Sequence, residues 1–199
     1  FAALALFNGY TSDVFVKLGY SAVIQEGLGH ITIFKRGWLE EGTLHPEKFM
    51  LSKADLDTIS ATAKSVAGVR LVSPKLNVAG LFSNGKVSTI FLGEGTIPED
   101  YNALIRSEGS IVHGDLDPQK NSAIQVSEGL AKMLDLHEGN SAMLSAVTFS
   151  GSMNAVNVEV LRTYNTGIPE TNDKYVRLPL KHAHELVDQT HFAARHRRR

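Results

Sequence analysis

The strongest constraint on the fold lies between residues 154 and 188. Asn154-Ala155-Val156-Asn157-Val158-Glu159-Val160-Leu161-Arg162-Thr163-Tyr164 is a long run rich in β-branched residues and reads as a strand. Asn165-Thr166-Gly167-Ile168-Pro169 stops it with a Gly-Pro turn and leads into a short polar connection. Tyr175-Val176-Arg177-Leu178-Pro179 is a second strand, and Lys181-His182-Ala183-His184-Glu185-Leu186-Val187 starts a helix. A chain built this way mixes sheet with helix, so the expected class is α+β.

The rest of the chain agrees with a folded protein. Apolar residues make up 43% and charged residues 21% of 199, outside the range of disordered chains. The net charge is −1, but four of the twenty basic residues stand in the last five positions, Arg195 and Arg197 to Arg199. The remaining sixteen face twenty-one acids, so the body carries −5. An acidic body excludes a basic nucleic-acid footprint on the fold. There is no cysteine, so redox chemistry does not decide the compartment.

No apolar run reaches the roughly 20 residues of a membrane-spanning helix. Yet Phe1-Ala2-Ala3-Leu4-Ala5-Leu6-Phe7 is uncharged and looks like the outer end of one. Residues 8 to 26 continue as a helix, with Val14, Leu18, Ala22 and Val23 on one face. Gly27-Leu28-Gly29 ends it, and His30-Ile31-Thr32-Ile33-Phe34 alternates as a strand. Ser52 can cap the next helix, with Asp55 closing a capping box and Leu56, Ile59, Ala63 and Val66 as its apolar stripe. Residues 69 to 82 and 86 to 92 form a hairpin about Ser83-Asn84-Gly85. Gly93 to Pro98 suggests a boundary between two lobes. Beyond it come a short helix from Glu99, a turn and strand at 109 to 113, a strand from Ala123, and a helix capped by Ser127. A second hairpin crosses Ser150-Gly151-Ser152-Met153.

Several motifs point to chemistry and do not carry it. Gly80-Leu81-Phe82-Ser83-Asn84-Gly85-Lys86 has phosphate-loop spacing, but Val87 stands where the magnesium-binding hydroxyl belongs, and a β-run follows where a helix is needed. His113, Asp115 and Asp117 are spaced as metal ligands on a strand, but Gly114 and Pro118 make the segment a loop. His182 and His184 point about 200° apart on a helix and cannot chelate together. They read as solvated, as do His191 and His196. Glu40 with Glu41, and Glu170 with Asp173, are surface carboxylates beside turns. Trp38 is a packed loop anchor or an exposed contact residue. No G-x-S-x-G elbow and no cysteine nucleophile is present, so no catalytic, cofactor-binding or metal-ligating residue is assigned.

The Gly-Pro stretch and its flanking strands, together with Gly27-Leu28-Gly29-His30-Ile31-Thr32-Ile33 and the helix Ser127-Glu128-Gly129-Leu130-Ala131-Lys132-Met133-Leu134-Asp135-Leu136 before Glu138-Gly139-Asn140, resemble the MacB-like periplasmic core domain of FtsX-like ABC transporter permeases, the group that includes the lipoprotein-releasing permeases. The family usually has Asp where Asn140 stands. The likeness covers residues 8 to 190. It implies two small mixed α/β lobes. Residues 1 to 26 would be the end of a membrane helix and its outward extension, 27 to 92 a porter-like half, 93 to 188 an inserted Sabre-like lobe, and 189 to 199 a disordered basic tail. A late porter half and further membrane helices would follow in the family, so the chain resembles a fragment of a permease.

The function so implied is mechanotransmission at the bacterial inner membrane, with this domain on the extracytoplasmic side. It would relay ATP-driven motion to an envelope substrate in lipoprotein or lipid release, or in export. ATP hydrolysis would sit on a separate ABC ATPase subunit, so the chain itself is no enzyme. Other implied partners are a second permease subunit, in a homo- or heterodimer, and a periplasmic chaperone or adaptor; nucleic acid is not among them. The alternatives are a free-standing envelope ligand-binding or scaffold module and, more remotely, a metallohydrolase on His113, Asp115 and Asp117. Without the late porter half, one sheet edge should be bare and Val78, Leu81, Ile90 and Phe91 should lose cover.

Overall fold

The computed structural model describes residues 2–20, 29–42, 45–107 and 114–188. The chain divides into two units, residues 1–33 and 34–199. In the first, α1 (Ala2–Tyr20) is an apolar helix whose Leu4, Leu6, Phe7, Tyr10 and Phe15 are exposed. No helix of the described residues is long and apolar enough to cross a membrane. The strand expected over His30-Phe34 does not form: His30 is a bend, residues 31–34 are not in a strand, and Ile31 is 82% exposed. Alternation over so short a run is a weak strand signal on its own.

The second unit opens with short helices. Phe34 stacks on Trp38 at the start of α2 (Trp38–Glu41), and Trp38 meets Phe49 of α3 (Pro46–Phe49) edge-on, both with centroids 6.3 Å apart. Trp38 is thus a packed anchor. In α4 (Lys53–Lys64) the capping box forms as expected: Ser52 Oγ accepts from Asp55 N, and Asp55 Oδ2 accepts from Ser52 N. Leu56, Ile59 and Ala63 are half-buried and Val66 is exposed, so this stripe covers little.

Everything that follows builds a closed barrel. β1 (Lys75–Ser83) and β2 (Ser88–Thr96) pair antiparallel along their full length. After α5 (Pro98–Ser107) come β3 (Ala123–Ser127), α6 (Glu128–Met133), β4 (Ser141–Val147), β5 (Met153–Tyr164), α7 (Pro169–Asn172), β6 (Tyr175–Pro179) and α8 (Leu180–Leu186). The strand order is β1-β2-β6-β3-β5-β4, closing from β4 back to β1. The class is therefore mixed α+β, with a six-stranded barrel at its centre. Leu76, Val78, Phe82, Phe91, Ile124, Val126, Leu144, Val158, Val160, Val176 and Leu178 fill it, and Ala183 and Leu186 of α8 join them.

Closure overturns the bare-edge expectation. Leu81, Phe82 and Ser83 pair with Ser145, Leu144 and Met143, so β1 finds its second neighbour in β4. Val78 and Phe91 are buried inside, while Leu81 and Ile90 face outward. The boundary expected at Gly93 to Pro98 also fails, because Gly93 to Thr96 continue β2 and pair with β6. These glycines mark tight packing. A Cβ on Gly93 would meet Val78, Phe91 and Leu178, and one on Gly95 would meet Ala183.

Two local readings change in detail. The first hairpin loop spans residues 84–87, since Ser83 pairs with Ser88. Gly85 alone in it has positive φ, +86°. Asn84 instead uses its side chain: Oδ1 accepts from the N–H groups of Lys86 and Val87, and Nδ2 donates to Leu134 O at 2.6 Å. Ser127 makes no side-chain cap to α6. Its Oγ accepts from Tyr175 N at 3.1 Å and so ties β6 to β3.

Candidate functional site

Strand register builds one polar row on the outer wall of the barrel. Val176 and Leu178 belong to the core, so Arg177 between them points to the opposite face. In register with it stand Glu94 on β2 and Gln125 on β3; beyond these, Asn77 pairs with Glu94 and Arg162 with Gln125. The row thus crosses β1, β2, β6, β3 and β5. A register shift in β5 between Val160 and Arg162 brings Arg162 opposite Gln125.

α5 covers the middle of this row. Its Tyr101 hydroxyl accepts from Arg177 Nη1 at 2.8 Å, and Gln125 Oε1 lies 3.5 Å from the same nitrogen. The guanidinium carbon sits 4.5 Å from the Tyr101 ring centroid and 5.1 Å from that of Tyr164, a cation held between two aromatic faces. Glu94 Oε1 is 3.7 Å from Arg177 Nε, an ion pair beyond hydrogen-bond reach, while Glu94 Oε2 accepts from Lys75 Nζ at 3.0 Å. Arg177 is 1% exposed, and Glu94, Tyr101, Gln125 and Tyr164 are all buried.

The electrostatics follow from this enclosure. Burial pushes the hydroxyls of Tyr164 and Tyr101 above the ordinary tyrosine value, with Arg177 pulling the other way. Burial also opposes the Arg177 charge, but Tyr164, Tyr101 and Glu94 outweigh it, and its pKa lies above that of a free arginine. The cage holds one guanidinium against one carboxylate, with Lys75 at the rim. Chemically it fixes β1, β2, β6, β3, β5 and α5 to one another.

A groove of roughly 580 Å³ continues from the row's end, between α5 and residues 114–118. Asn102 forms its floor, donating to Leu116 O at 2.7 Å and accepting from Leu116 N at 2.8 Å. Gln125 Nε2 donates to Gly114 O at 2.9 Å. Arg106 and Asp115 form an ion pair at the mouth, with Arg162 beside them.

The residues singled out in the sequence are scattered. Asp115 is taken by Arg106, and Asp117 Oδ1 accepts from Gln119 N at 2.9 Å; His113 lies outside the described residues. Among the described residues no group of three His, Asp or Glu is placed to hold a metal. The Gly80 to Val87 stretch is the hairpin. Glu40 and Glu41 lie in α2, Glu170 lies in α7, and Asp173 caps its end. His182 is not solvated: it is buried, with Nδ1 2.9 Å from Glu185 Oε2 and Nε2 3.1 Å from Asn157 O. His184 is half-buried, and His191, His196 and the arginine tail lie outside the described residues. Sequence reasoning missed Arg177, Glu94, Gln125, Tyr101 and Tyr164. The available signal was a charge or amide centred in a short apolar strand, in Tyr175-Val176-Arg177-Leu178-Pro179 and Ala123-Ile124-Gln125-Val126-Ser127. Neither a family model nor a curated protein matches the chain.

Proposed function

We propose that the chain is part of the extracytoplasmic domain of an FtsX-like ABC transporter permease, a binding and motion-relaying element of the bacterial inner membrane. The observation that carries this reading is the segment from β5 to α8. Its order of strand, Gly-Pro turn, short helix α7, strand ending at Pro179 and helix resembles that of the family, and it supplies the strand β6 between β2 and β3. In this reading the porter-like half and the Sabre-like inserted lobe meet in the one barrel. The ATPase is a separate subunit, a second permease subunit completes the transporter, and a periplasmic chaperone or adaptor receives the cargo. A cage that ties six elements together suits a domain that must carry displacement through that wall.

One observation favours the second reading, a free-standing envelope ligand-binding or scaffold module. The barrel closes its own sheet within residues 75–179, and its buried core lies within residues 76–187. The DNA on either side of the coding segment separates the two. An adjoining ATPase reading frame and further hydrophobic helices are expected for the permease; a short open reading frame flanked by neither sinks it.

A further inference from the structure

The barrel is built as two three-stranded halves joined by unequal seams. β1, β2 and β6 pair along long ladders, from Lys75 with Thr96 to Ser83 with Ser88, and from Leu92 with Tyr175 to Thr96 with Pro179. β3, β5 and β4 do the same, from Ser141 with Glu159 to Val147 with Met153, and from Ala123 with Glu159 to Ser127 with Tyr164. Between the halves the ladders are short. β6 meets β3 only at Arg177 with Gln125 and Val176 with Val126, but there the cage of Tyr101, Tyr164 and Glu94 reinforces the junction. β1 meets β4 only from Leu81 to Ser83, against Ser145 to Met143; no buried charge cage reinforces it among the described residues, and beside it Asn84 Nδ2 donates to Leu134 O at 2.6 Å. Contact there is so close that a Cβ on Gly80 would collide with Ser145 O.

α8 bridges this second seam. It is covalently continuous with β6 and packs on Gly95 of β2 without room for a side chain there, so it belongs to the first half. Its bonds to the second half are made by a few groups. Asn154 Nδ2 on β5 donates to Glu185 O at 2.8 Å and Leu186 O at 3.2 Å, His182 Nε2 lies 3.1 Å from Asn157 O, and Phe149 N donates to Val187 O, at the end of α8, at 3.4 Å.

We infer that the barrel has a built-in parting line: it opens along β1 and β4, hinged on the Arg177 row, with α8 as the clasp. The open form is a minor state, because parting exposes Phe82 and Leu144, which pair across the seam and are fully buried when it is closed. The inference holds whether or not the chain belongs to a transporter, since it rests on the ladders, the cage and the bonds of α8.

Native-state amide exchange on the 199-residue chain tests it. The β1 and β4 amides that bond across the seam should exchange about tenfold or more faster than those bonding β1 to β2 or β4 to β5. Asn154→Ala should widen that gap. The chain has no cysteine, so the pair Ser83→Cys and Met143→Cys, at directly opposed positions, gives a single cross-seam disulfide; it should bring the seam amides level with the rest. Uniform exchange across all ladders, or a crosslink that leaves the seam amides unchanged, overturns the inference. If Asn154→Ala loosens every ladder equally, α8 is no clasp.

Discussion

The two outer walls of the barrel reverse the usual rule. Across β2, β6 and β3 the outward row is Glu94, Arg177 and Gln125, polar and charged, and it is buried. Across β2, β1, β4 and β5 the outward residues include Ile90, Leu92, Leu81, Met143, Val147 and Met153, apolar and exposed; Ile90 and Met153 are each 64% accessible. Polarity does not decide which wall is covered; α5 does, because it lies over one row and brings Tyr101 to meet Arg177. Covering the polar wall makes each of its bonds obligatory, since a buried charge without partners is costly. The bare apolar wall has no such obligation. Substitution energies should therefore follow cover, not hydrophobicity.

The largest effect is expected at the centre of the covered row. Arg177→Ala removes the cation and leaves the Glu94 carboxylate buried with only Lys75 at its side. The cost should be about 3–5 kcal/mol, the range for breaking one partner of a buried pair. Arg177→Met combined with Glu94→Gln should cost less than Arg177→Ala alone, because no charge is then stranded. Urea denaturation of the three proteins measures this. If the double variant is the less stable, the charge itself stabilises the row and cover is not the cause.

Next comes the cover. Tyr101→Phe keeps the ring over the guanidinium and deletes the hydroxyl that accepts from Nη1. A hydrogen bond to a charged group contributes about 1.5–3 kcal/mol, so the denaturation midpoint should fall by a corresponding amount. A midpoint equal to that of the parent would mean that α5 merely lies over the row without holding it.

How much of this was legible in the sequence depends on distance along the chain. The first hairpin, the capping box at Ser52, and the order from β5 to α8 are written in neighbouring residues, and each is present. Closure is not local, because residues 81–83 find their partners at 143–145 and no nearby signal names them. Leu81 and Ile90 blurred it further: being apolar, they suggested a face that wanted cover, yet they point outward. Gly93 and Gly95 suggested a boundary, when they are small because Val78, Leu178 and Ala183 press on them. In the sequence Arg177 is only part of its strand, and charged residues are seldom fully buried. Only α5, packed from elsewhere in the chain, makes it otherwise.

On the bare wall the effects should be small. Ile90→Ser and Met153→Ser remove exposed apolar groups that pair only with other outward residues, Leu81 and Val147. Each should stay within about 0.5 kcal/mol of the parent, as is usual for surface positions. A loss comparable with that of Arg177→Ala would show that this wall is covered in solution and would break the comparison at its root.

The smallest effect belongs to a polar pair that has little cover. Asp55 accepts from both Ser52 Oγ, at 2.7 Å, and Ser52 N, at 2.9 Å, with Lys35 Nζ 3.8 Å away. These bonds, the side-chain one first, hold its carboxyl below the ordinary value of 3.8. A carboxyl whose folded pKa is depressed adds stability that is present above the unfolded pKa and is lost as pH falls through the folded one. The helix α4 should therefore loosen only below about pH 4, the ordinary aspartate value marking the upper edge of the window. Because water reaches the whole site, the barrel should not notice. Following the Asp55 carboxyl and the α4 amides by NMR during an acid titration checks both parts. Ser52→Ala should move the Asp55 midpoint upward toward the ordinary value while leaving the Tyr101 and Arg177 resonances in place. If the barrel resonances shift along with α4, this exposed pair is coupled to the core, and cover is not what sets the worth of a polar contact in this molecule.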